Sequence, residues 1–214
     1  MQRPKVLWAD YIKRPVDALL ALLALIVMSP ILLAIGAGVK LDDGGSVFYR
    51  GTRTGLYGKP FQIFKFRTMV VAAERMGGPS TAANDPRLTR IGPFLRRYKL
   101  DEFPQLINIL FGEMSFVGPR PQVQAYTDLY TEKQQIMLDV RPGLTDYASN
   151  HFFDLDRILG DTDVDEKYLN EIEPEKNRLR TRYVEEVSFL SDMKILLATA
   201  VLLLRRCSTW NTDN

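Results

Sequence analysis

The 214-residue sequence predicts a single mixed α/β domain dominated by helices, with a broken apolar helix near its N-terminal end. Three observations predict it. Residues 18–39, ALLALLALIVMSPILLAIGAGV, are uncharged throughout. Residues 46–69, SVFYRGTRTGLYGKPFQIFKFRTM, are rich in aromatic and β-branched residues and punctuated by Gly51, Gly55, Gly58 and Pro60. That is the pattern of two short strands and a turn. From residue 87 onward, apolar residues recur mainly at helical spacing, interrupted by prolines.

The apolar run is long enough to cross a bilayer, since its 22 residues reach about 33 Å as a helix. Pro30 opposes a straight crossing. It lacks the N–H that the Ile26 carbonyl needs, and its ring presses on the same carbonyl, so a kink or break is expected there. Ser29 can offer its hydroxyl to the freed carbonyl of Leu25 or Ile26. Each half is then only about 16 to 17 Å long, which suits a hairpin dipping into one leaflet. Lys5, Lys13 and Arg14 precede the run, and Lys40, Arg50 and Arg53 follow it, so the flanking charges do not choose an orientation. No small-residue cleavage site ends the run, which argues against a signal peptide. The residues alone leave a spanning and a re-entrant anchor open.

The remainder, roughly 170 residues, suffices for one domain with a core of its own. A single cysteine, Cys207, excludes an internal disulfide and fits a reducing compartment. The net charge of +2 does not announce a nucleic-acid binder. Locally, Arg87, Arg90, Arg96, Arg97 and Lys99 form a basic patch, which by itself reads equally as a solvated helix face or one resting on anionic headgroups.

Residues 72–86 are polar and small, and a mobile loop is expected. Residues 87–114 read as two or three short helices, one starting close to Pro104. SFVGPRPQ is a turn. Residues 122–139 are helical in pattern and stopped by RPGL, and 151–175 are acidic and loop-rich with short helices. Residues 176–206 read as one long helix or two. Within them Ile195–Leu204 are ten uncharged residues, all apolar but Thr199, closed by Arg205 and Arg206, too few to span and therefore core or interfacial. No internal repeat is visible.

The common hydrolase, kinase and metalloprotease motifs are absent. The one histidine, His151, has nothing beside it to orient it as a base, and a structural role is expected. What remains is carboxylates and cations. Asp101 and Glu102 stand together in KLDEFPQL, just after the basic patch and before Pro104. Near a helix start and several arginines, both are expected to stay ionised, which makes Asp101 a ready anionic nucleophile. Neighbours on a helix point about 100° apart, so the pair would not share one face, but it can still converge on a divalent ion from different sides. Mg²⁺ suits such a pair, taking one or two carboxylates and filling its octahedron with water and phosphate oxygens. Arg67, Arg87, Arg96 and Arg120, with Lys65 as a point charge, are candidates to complete a diphosphate site.

KFRTM (65–69), DPRLTRIGPFLRRYKLDEFPQLINILFGEMSFVGPRP (85–121), RPGLT (141–145) and the Ser29-Pro30 break together resemble the monotopic phosphoglycosyl transferases, or bacterial sugar transferases. The resemblance runs from about residue 10 to about 145, more weakly through SFLSDMKILLAT. It implies that residues 10–40 form a re-entrant helix bent at Ser29-Pro30, that 41–186 form a catalytic part on the cytoplasmic face of the bacterial inner membrane, and that 187–206 form an interfacial helix. It implies transfer of a sugar 1-phosphate from a UDP-sugar to polyprenyl (undecaprenyl) phosphate with release of UMP, an early membrane step in building a polysaccharide or other glycoconjugate. Asp101 matches the family's nucleophile, carrying an aspartyl phosphosugar, and Glu102 its partner. Lys65, Arg67, Arg96 and Arg120 match motif cations assigned to phosphate. The expected partners are the UDP-sugar, the polyprenyl phosphate and inner-leaflet lipids, with a homodimer left open and no nucleic acid.

DYASNHFFDLD departs from the Trp-Ala-Gln segment that many members carry after PGLT, so the identity of the sugar is not carried over. The additional N-terminal spanning helices of larger members are missing, and the chain looks like the minimal catalytic unit. Two other classes compete. A catalytically silent membrane-anchored scaffold of the same fold would not need two carboxylates among arginines. A single-span protein with a basic nucleic-acid- or lipid-binding domain would place its domain and N-terminus on opposite faces.

Overall fold

The computed structural model describes residues 6–71, 73, 85–155, 158 and 164–208. The expected mobile loop, 72–86, lies largely outside them. A π-helical turn, Trp8–Ile12, leads directly into α1, Lys13–Asp43, a 31-residue helix that ends on Gly44 in the left-handed conformation. Helical structure continues through Pro30 rather than stopping there. The Ser29 hydroxyl donates to the Ile26 carbonyl at 2.8 Å, replacing the bond that Pro30 cannot make.

Both ends of α1 are fastened to the same packed body. At its start, Lys13 pairs with Asp192, Arg14 donates to the carbonyls of Ile109 and Leu110 at 2.9 and 2.8 Å, and Asp17 accepts from Ser115 at 2.7 Å. At its end, Asp43 pairs with Arg67, Asp42 accepts from the Ile91 N–H at 3.1 Å, and Val39 is buried against Phe66 and Leu95. Between them, Leu22, Leu23, Ile26, Val27, Ile31 and Leu33 stay exposed. One face of α1 is core, and the other is a bare apolar surface.

The strand region forms the expected hairpin in two pieces. β1 (Phe48–Tyr49) pairs antiparallel with β4 (Lys65–Phe66), and β2 (Thr52–Thr54) with β3 (Pro60–Gln62). A 3₁₀ turn, Leu56–Gly58, closes the hairpin. Its inward side chains, Phe61 and Ile63, meet Ala21 of α1 and Leu106, Ile109 and Met114 in one core cluster. After the hairpin come α2 (Gly92–Arg97), a 3₁₀ turn (Leu100–Glu102) and α3 (Gln105–Phe111), with Pro104 immediately ahead of α3 as expected.

SFVGPRPQ is more than a turn. Ser115–Val117 form β5, which pairs in parallel with β6 (Gly143–Thr145), setting Ser115 against Gly143 and Val117 against Thr145. The crossing needs glycine: a Cβ on Gly143 would fall 2.1 Å from the Gly118 nitrogen. Three-residue strands are too short for an alternating pattern, and a parallel pair needs a distant partner, so neither strand shows in the sequence.

Residues 122–139 do not form the single helix expected. They hold α4 (Gln124–Thr127) and a separate 3₁₀ turn, Gln134–Asp139. Thr131 and Gln134 break the run by capping each other, the Thr131 N–H donating to the Gln134 side chain at 2.9 Å. Asp146 caps α5 (Tyr147–His151), accepting from the Ser149 N–H at 2.6 Å. The acidic region contributes α6 (Val164–Lys167) and a π-helical turn, Tyr168–Ile172.

The C-terminal helical stretch is two helices, α7 (Glu173–Glu186) and α8 (Phe189–Ser208). Ser188 and Ser191 divide them with reciprocal bonds, Ser188 N–H to Ser191 Oγ at 2.8 Å and Ser191 N–H to Ser188 Oγ at 3.1 Å. α8 is apolar on two sides: Ile195 is buried in the core with Val117, Tyr183 and Val184, whereas Leu197, Val201 and Leu204 are exposed.

Candidate active site

Asp101 and Glu102 sit on the 3₁₀ turn before α3, and both side chains are buried. Lys99 makes this possible. It takes a left-handed backbone, φ 56° and ψ 20°, which a residue with a Cβ adopts only under local constraint. The chain thereby turns sharply out of α2 and carries both carboxylates inward.

Three elements converge on them. β4 supplies Lys65, whose ammonium lies 3.1 Å from Glu102 Oε1 and 3.7 Å from Asp101 Oδ2. The turn after β5 supplies Arg120, whose guanidinium grips both oxygens of Glu102, Nη1 donating to Oε2 at 2.9 Å and Nη2 to Oε1. The backbone of the same turn is held from behind, because the Arg120 N–H donates to Asp146 at 3.0 Å. α2 supplies Arg96, close enough, with Lys99, to act on Asp101 electrostatically.

The two carboxyls consequently diverge. Burial works against charge on Glu102, yet the charges of Arg120 and Lys65 and the Arg120 hydrogen bonds outweigh it and hold that carboxyl well below the ordinary range. For Asp101, burial dominates, helped by the Glu102 charge, and its carboxyl is raised despite Lys65, Lys99 and Arg96. Burial thus works against the ionisation of Asp101 that its flanking cations favour. Asp101 Oδ1 is buried with no hydrogen-bond partner among the described residues. Asp101 Oδ2 has only the Lys65 ammonium beside it, at 3.7 Å, so Asp101 is the less engaged carboxylate of the pair.

This geometry is also the test for Mg²⁺. An open, hard carboxylate oxygen on Asp101 fits such an ion. Glu102 fits less well, since Arg120 and Lys65 occupy both its oxygens. No group of three or more His, Cys, Asp or Glu side chains suited to a metal occurs among the described residues, so water and substrate oxygens would have to complete the shell.

The other predicted cations divide. Lys65, Arg96 and Arg120 come together around the pair. Arg67 does not: it is buried and forks onto Asp43 at the end of α1, its Nε donating to the Ser46 carbonyl at 2.7 Å. Arg87 is buried and forks onto Asp85, whose carboxyl it holds below the ordinary range by hydrogen bonding; Arg96 acts on that same carboxylate. His151 lies exposed at the end of α5, its ring 4.7 Å edge-on from Phe152.

Behind Arg120 lies a second layer that the sequence did not reveal. Asp146 is fully buried, and Arg180 of α7 approaches it at 3.7 Å while donating to Glu173 at 3.1 Å and Asn177 at 3.0 Å. The Gln122 side-chain oxygen accepts from Arg180 at 2.7 Å. Lys176, four residues before Arg180 and so on the same helix face, is buried as well. The Asp146–Ser149 spacing was a readable cap, but nothing in EPEKNRLR marked its cations as inward.

The bacterial sugar transferase family model matches residues 8–206, nearly the whole chain. The chain belongs to the bacterial sugar transferases. This transferase is similar to the UDP-glucose:undecaprenyl-phosphate glucose-1-phosphate transferase of Escherichia coli, 39% identical over 191 residues, which cover 88% of this chain and 39% of that protein. It is also similar to the exopolysaccharide production protein ExoY of Sinorhizobium fredii, 39% identical over 202 residues, covering 87% of this chain and 83% of that one. The uncharacterized sugar transferase EpsL of Bacillus subtilis matches at 39% over 189 residues, covering 88% and 85%. The transferase thus spans well under half of the E. coli relative and most of the other two.

Proposed function

We propose that this transferase moves a sugar 1-phosphate from a UDP-sugar to polyprenyl phosphate, releasing UMP, through a covalent phosphosugar on Asp101. The observation that carries the reading is the open Oδ1 of a buried Asp101, backed by Lys65 and by a Glu102 already neutralised by Arg120. The Asp101 carboxylate attacks the phosphorus bearing the sugar. The bond from that phosphorus to the bridging oxygen breaks, and UMP departs with the electron pair. A phosphate oxygen of the polyprenyl phosphate then attacks the same phosphorus, the bond to Asp101 breaks, and the carboxylate is restored as polyprenyl diphosphate sugar leaves. Neither step consumes a proton. Splitting the transfer suits reactants that arrive from water and from lipid. Asp101, with phosphate oxygens, would hold Mg²⁺, which supplies positive charge to the diphosphate.

The Glu102–Arg120 pair presents a net-neutral wall beside the nucleophile, while Lys65 and Arg96 add positive charge where the phosphate must sit. Burying two carboxylates costs free energy that a silent scaffold would gain nothing from.

The same reading places α1 as a re-entrant anchor in the inner leaflet, with the catalytic part on the cytoplasmic side. What supports it is that Lys13, Arg14 and Asp17 at one end and Asp42 and Asp43 at the other all bond to one packed body, so both ends share a side. The apolar face between them, with the exposed residues of α8, offers the surface for lipid.

The decisive experiment incubates the protein in nanodiscs with Mg²⁺, undecaprenyl phosphate and a panel of UDP-sugars, UDP-glucose first, and measures UMP. Release that is lost in Asp101→Asn and with EDTA is expected. Equal release by the wild type and Asp101→Asn would remove Asp101 as the nucleophile.

A further inference from the structure

The start of α1 borders a cavity of about 260 Å³, walled also by the hairpin tip, β5, the approach to β6 and α7. One water needs only about 10 to 15 Å³ of such space, so this cavity is far larger than a water site. Asp10, Asp17 and Asp139 line it, and so do Lys13, Arg14 and Arg141. The lining therefore holds both signs of charge and is neutral overall.

Most of these groups are engaged within the protein. The Lys13 ammonium is bonded to Asp192 and to the Tyr183 hydroxyl, and Arg14 donates to the carbonyls of Ile109 and Leu110. Arg141 differs. Only its Nε donates, to the Gly112 carbonyl at 2.9 Å, and neither terminal nitrogen has a hydrogen-bond partner among the described residues. Burial and the charge of Arg14 lower the Arg141 guanidinium, with Asp17 and Tyr57 opposing. Asp17 is the acidic counterpart. It is 6% exposed and accepts from two neutral donors, the Ser115 hydroxyl at 2.7 Å and the Phe116 N–H. Lys13 acts on it electrostatically, but Asp17 makes no ion pair among the described residues. One cavity thus sets an arginine with free donors and a carboxylate that no cation touches on its walls, too far apart to pair with each other.

That arrangement suits a ligand with a negative end, a positive end and no net charge. The surroundings say where it comes from. Ile12, Val16, Leu19 and Leu20 are exposed along the same stretch of chain, and Phe111, beside the Gly112 that holds Arg141, is exposed too. We propose that the cavity receives the zwitterionic headgroup of an aminophospholipid, its phosphate on the Arg141 terminal nitrogens and its ammonium on Asp17. The acyl chains lie along the apolar face of α1. A planar guanidinium with two parallel donors matches phosphate oxygens, and the phosphate relieves the repulsion between Arg141 and Arg14. The ammonium gives Asp17 the charged donor it lacks. The inference goes beyond the transfer reaction and does not depend on it. It requires only that α1 lies in lipid, and it makes the seating of the anchor sensitive to membrane composition.

The test titrates the full chain in non-ionic detergent with dihexanoyl phosphatidylethanolamine, phosphatidylcholine and phosphatidylglycerol, counting bound lipid by native mass spectrometry. One phosphatidylethanolamine per chain is expected, held at least tenfold more tightly than either of the others. The choline headgroup has no N–H for Asp17, and the glycerol headgroup has no ammonium. Arg141→Met is expected to weaken phosphatidylethanolamine at least tenfold. Asp17→Asn, which keeps an acceptor for Ser115, is expected to erase the preference over phosphatidylglycerol. Equal binding of the three lipids by the wild type overturns the proposal. So does tighter binding of phosphatidylglycerol or undecaprenyl phosphate, which would make this an anion site, and so does a preference that survives both substitutions. Should the variants fail to fold, two further measurements decide. Wild-type affinity should fall stepwise through the mono- and dimethylated ethanolamine headgroups, and a flat series overturns the ammonium contact. A nitroxide on Tyr57→Cys, at the cavity wall in a Cys207→Ser background, should broaden the ³¹P line of the bound lipid, and an unbroadened line overturns its placement.

Discussion

Arg120 and Glu102 are locked face to face, Nη1 on Oε2 at 2.9 Å and Nη2 on Oε1, and this contact joins the Pro-Arg-Pro turn after β5 to the turn that carries Asp101, the proposed nucleophile. It also decides which carboxylate is free. With both its oxygens engaged, Glu102 is an anchor, and Asp101 is the carboxylate proposed to react.

Removing one partner of that pair strands a buried charge. Glu102→Gln and Arg120→Met are each expected to destabilise the protein by about 3 to 5 kcal/mol, whereas Glu102→Leu with Arg120→Met should recover much of the loss. Denaturant unfolding in detergent checks this. Additive losses in the double variant would show that the two side chains do not act as a pair.

Asp101 should be a stability liability at neutral pH. Its carboxyl is raised by burial, so ionising it costs more in the folded chain than in the unfolded one. This group therefore adds stability below its unfolded pKa of about 3.9, and that contribution is lost as pH rises through the raised folded value. Asp101→Asn does not titrate. Without Mg²⁺, its melting temperature is expected to match the wild type near pH 4 and to exceed it by a few degrees at pH 8. A variant that melts lower than the wild type at pH 8 would contradict the burial argument.

Arg67 is expected to act on the fold rather than on phosphate. Its fork onto Asp43 ties the end of α1 to β4, so Arg67→Met and Asp43→Asn should lower the melting temperature alike, with little further loss when combined. KM for the UDP-sugar should stay within twofold in the protein that folds. A tenfold rise in KM at unchanged melting temperature would return Arg67 to the site.

Topology is testable with labels at the two ends of the anchor. In a Cys207→Ser background, single cysteines at Val6 and at Leu41, which is 85% exposed, should both resist a membrane-impermeant reagent applied to intact cells. Both should react once the membrane is opened. Labelling of only one of them from outside would mean that α1 crosses.

The sequence by itself determined the elements whose physics is local. The uncharged run at 18–39 could only be a helix with an apolar face, and the Ser29 hydroxyl takes the Ile26 carbonyl because the two lie one turn apart. The Gly-rich stretch around Gly55 and Gly58 forms its hairpin for the same reason, and Pro104 opens α3. Even Asp101 and Glu102 were visible, as adjacent carboxylates beside a basic patch. Tertiary structure decided what depends on distant residues. The β5–β6 pairing joins residues 115 and 143, and no local pattern specifies which backbone will supply a strand's hydrogen bonds. The 122–139 segment has helical periodicity, but Thr131 and Gln134 cap each other and break it. The roles of like residues diverge for the same reason. Arg67, Arg87 and Arg120 look alike in the sequence, yet one braces Asp43, one grips Asp85 and one holds Glu102. A cation's task is set by the carboxylate that folding brings to it, and burial, which raises Asp101, exists only once the chain has closed around that residue.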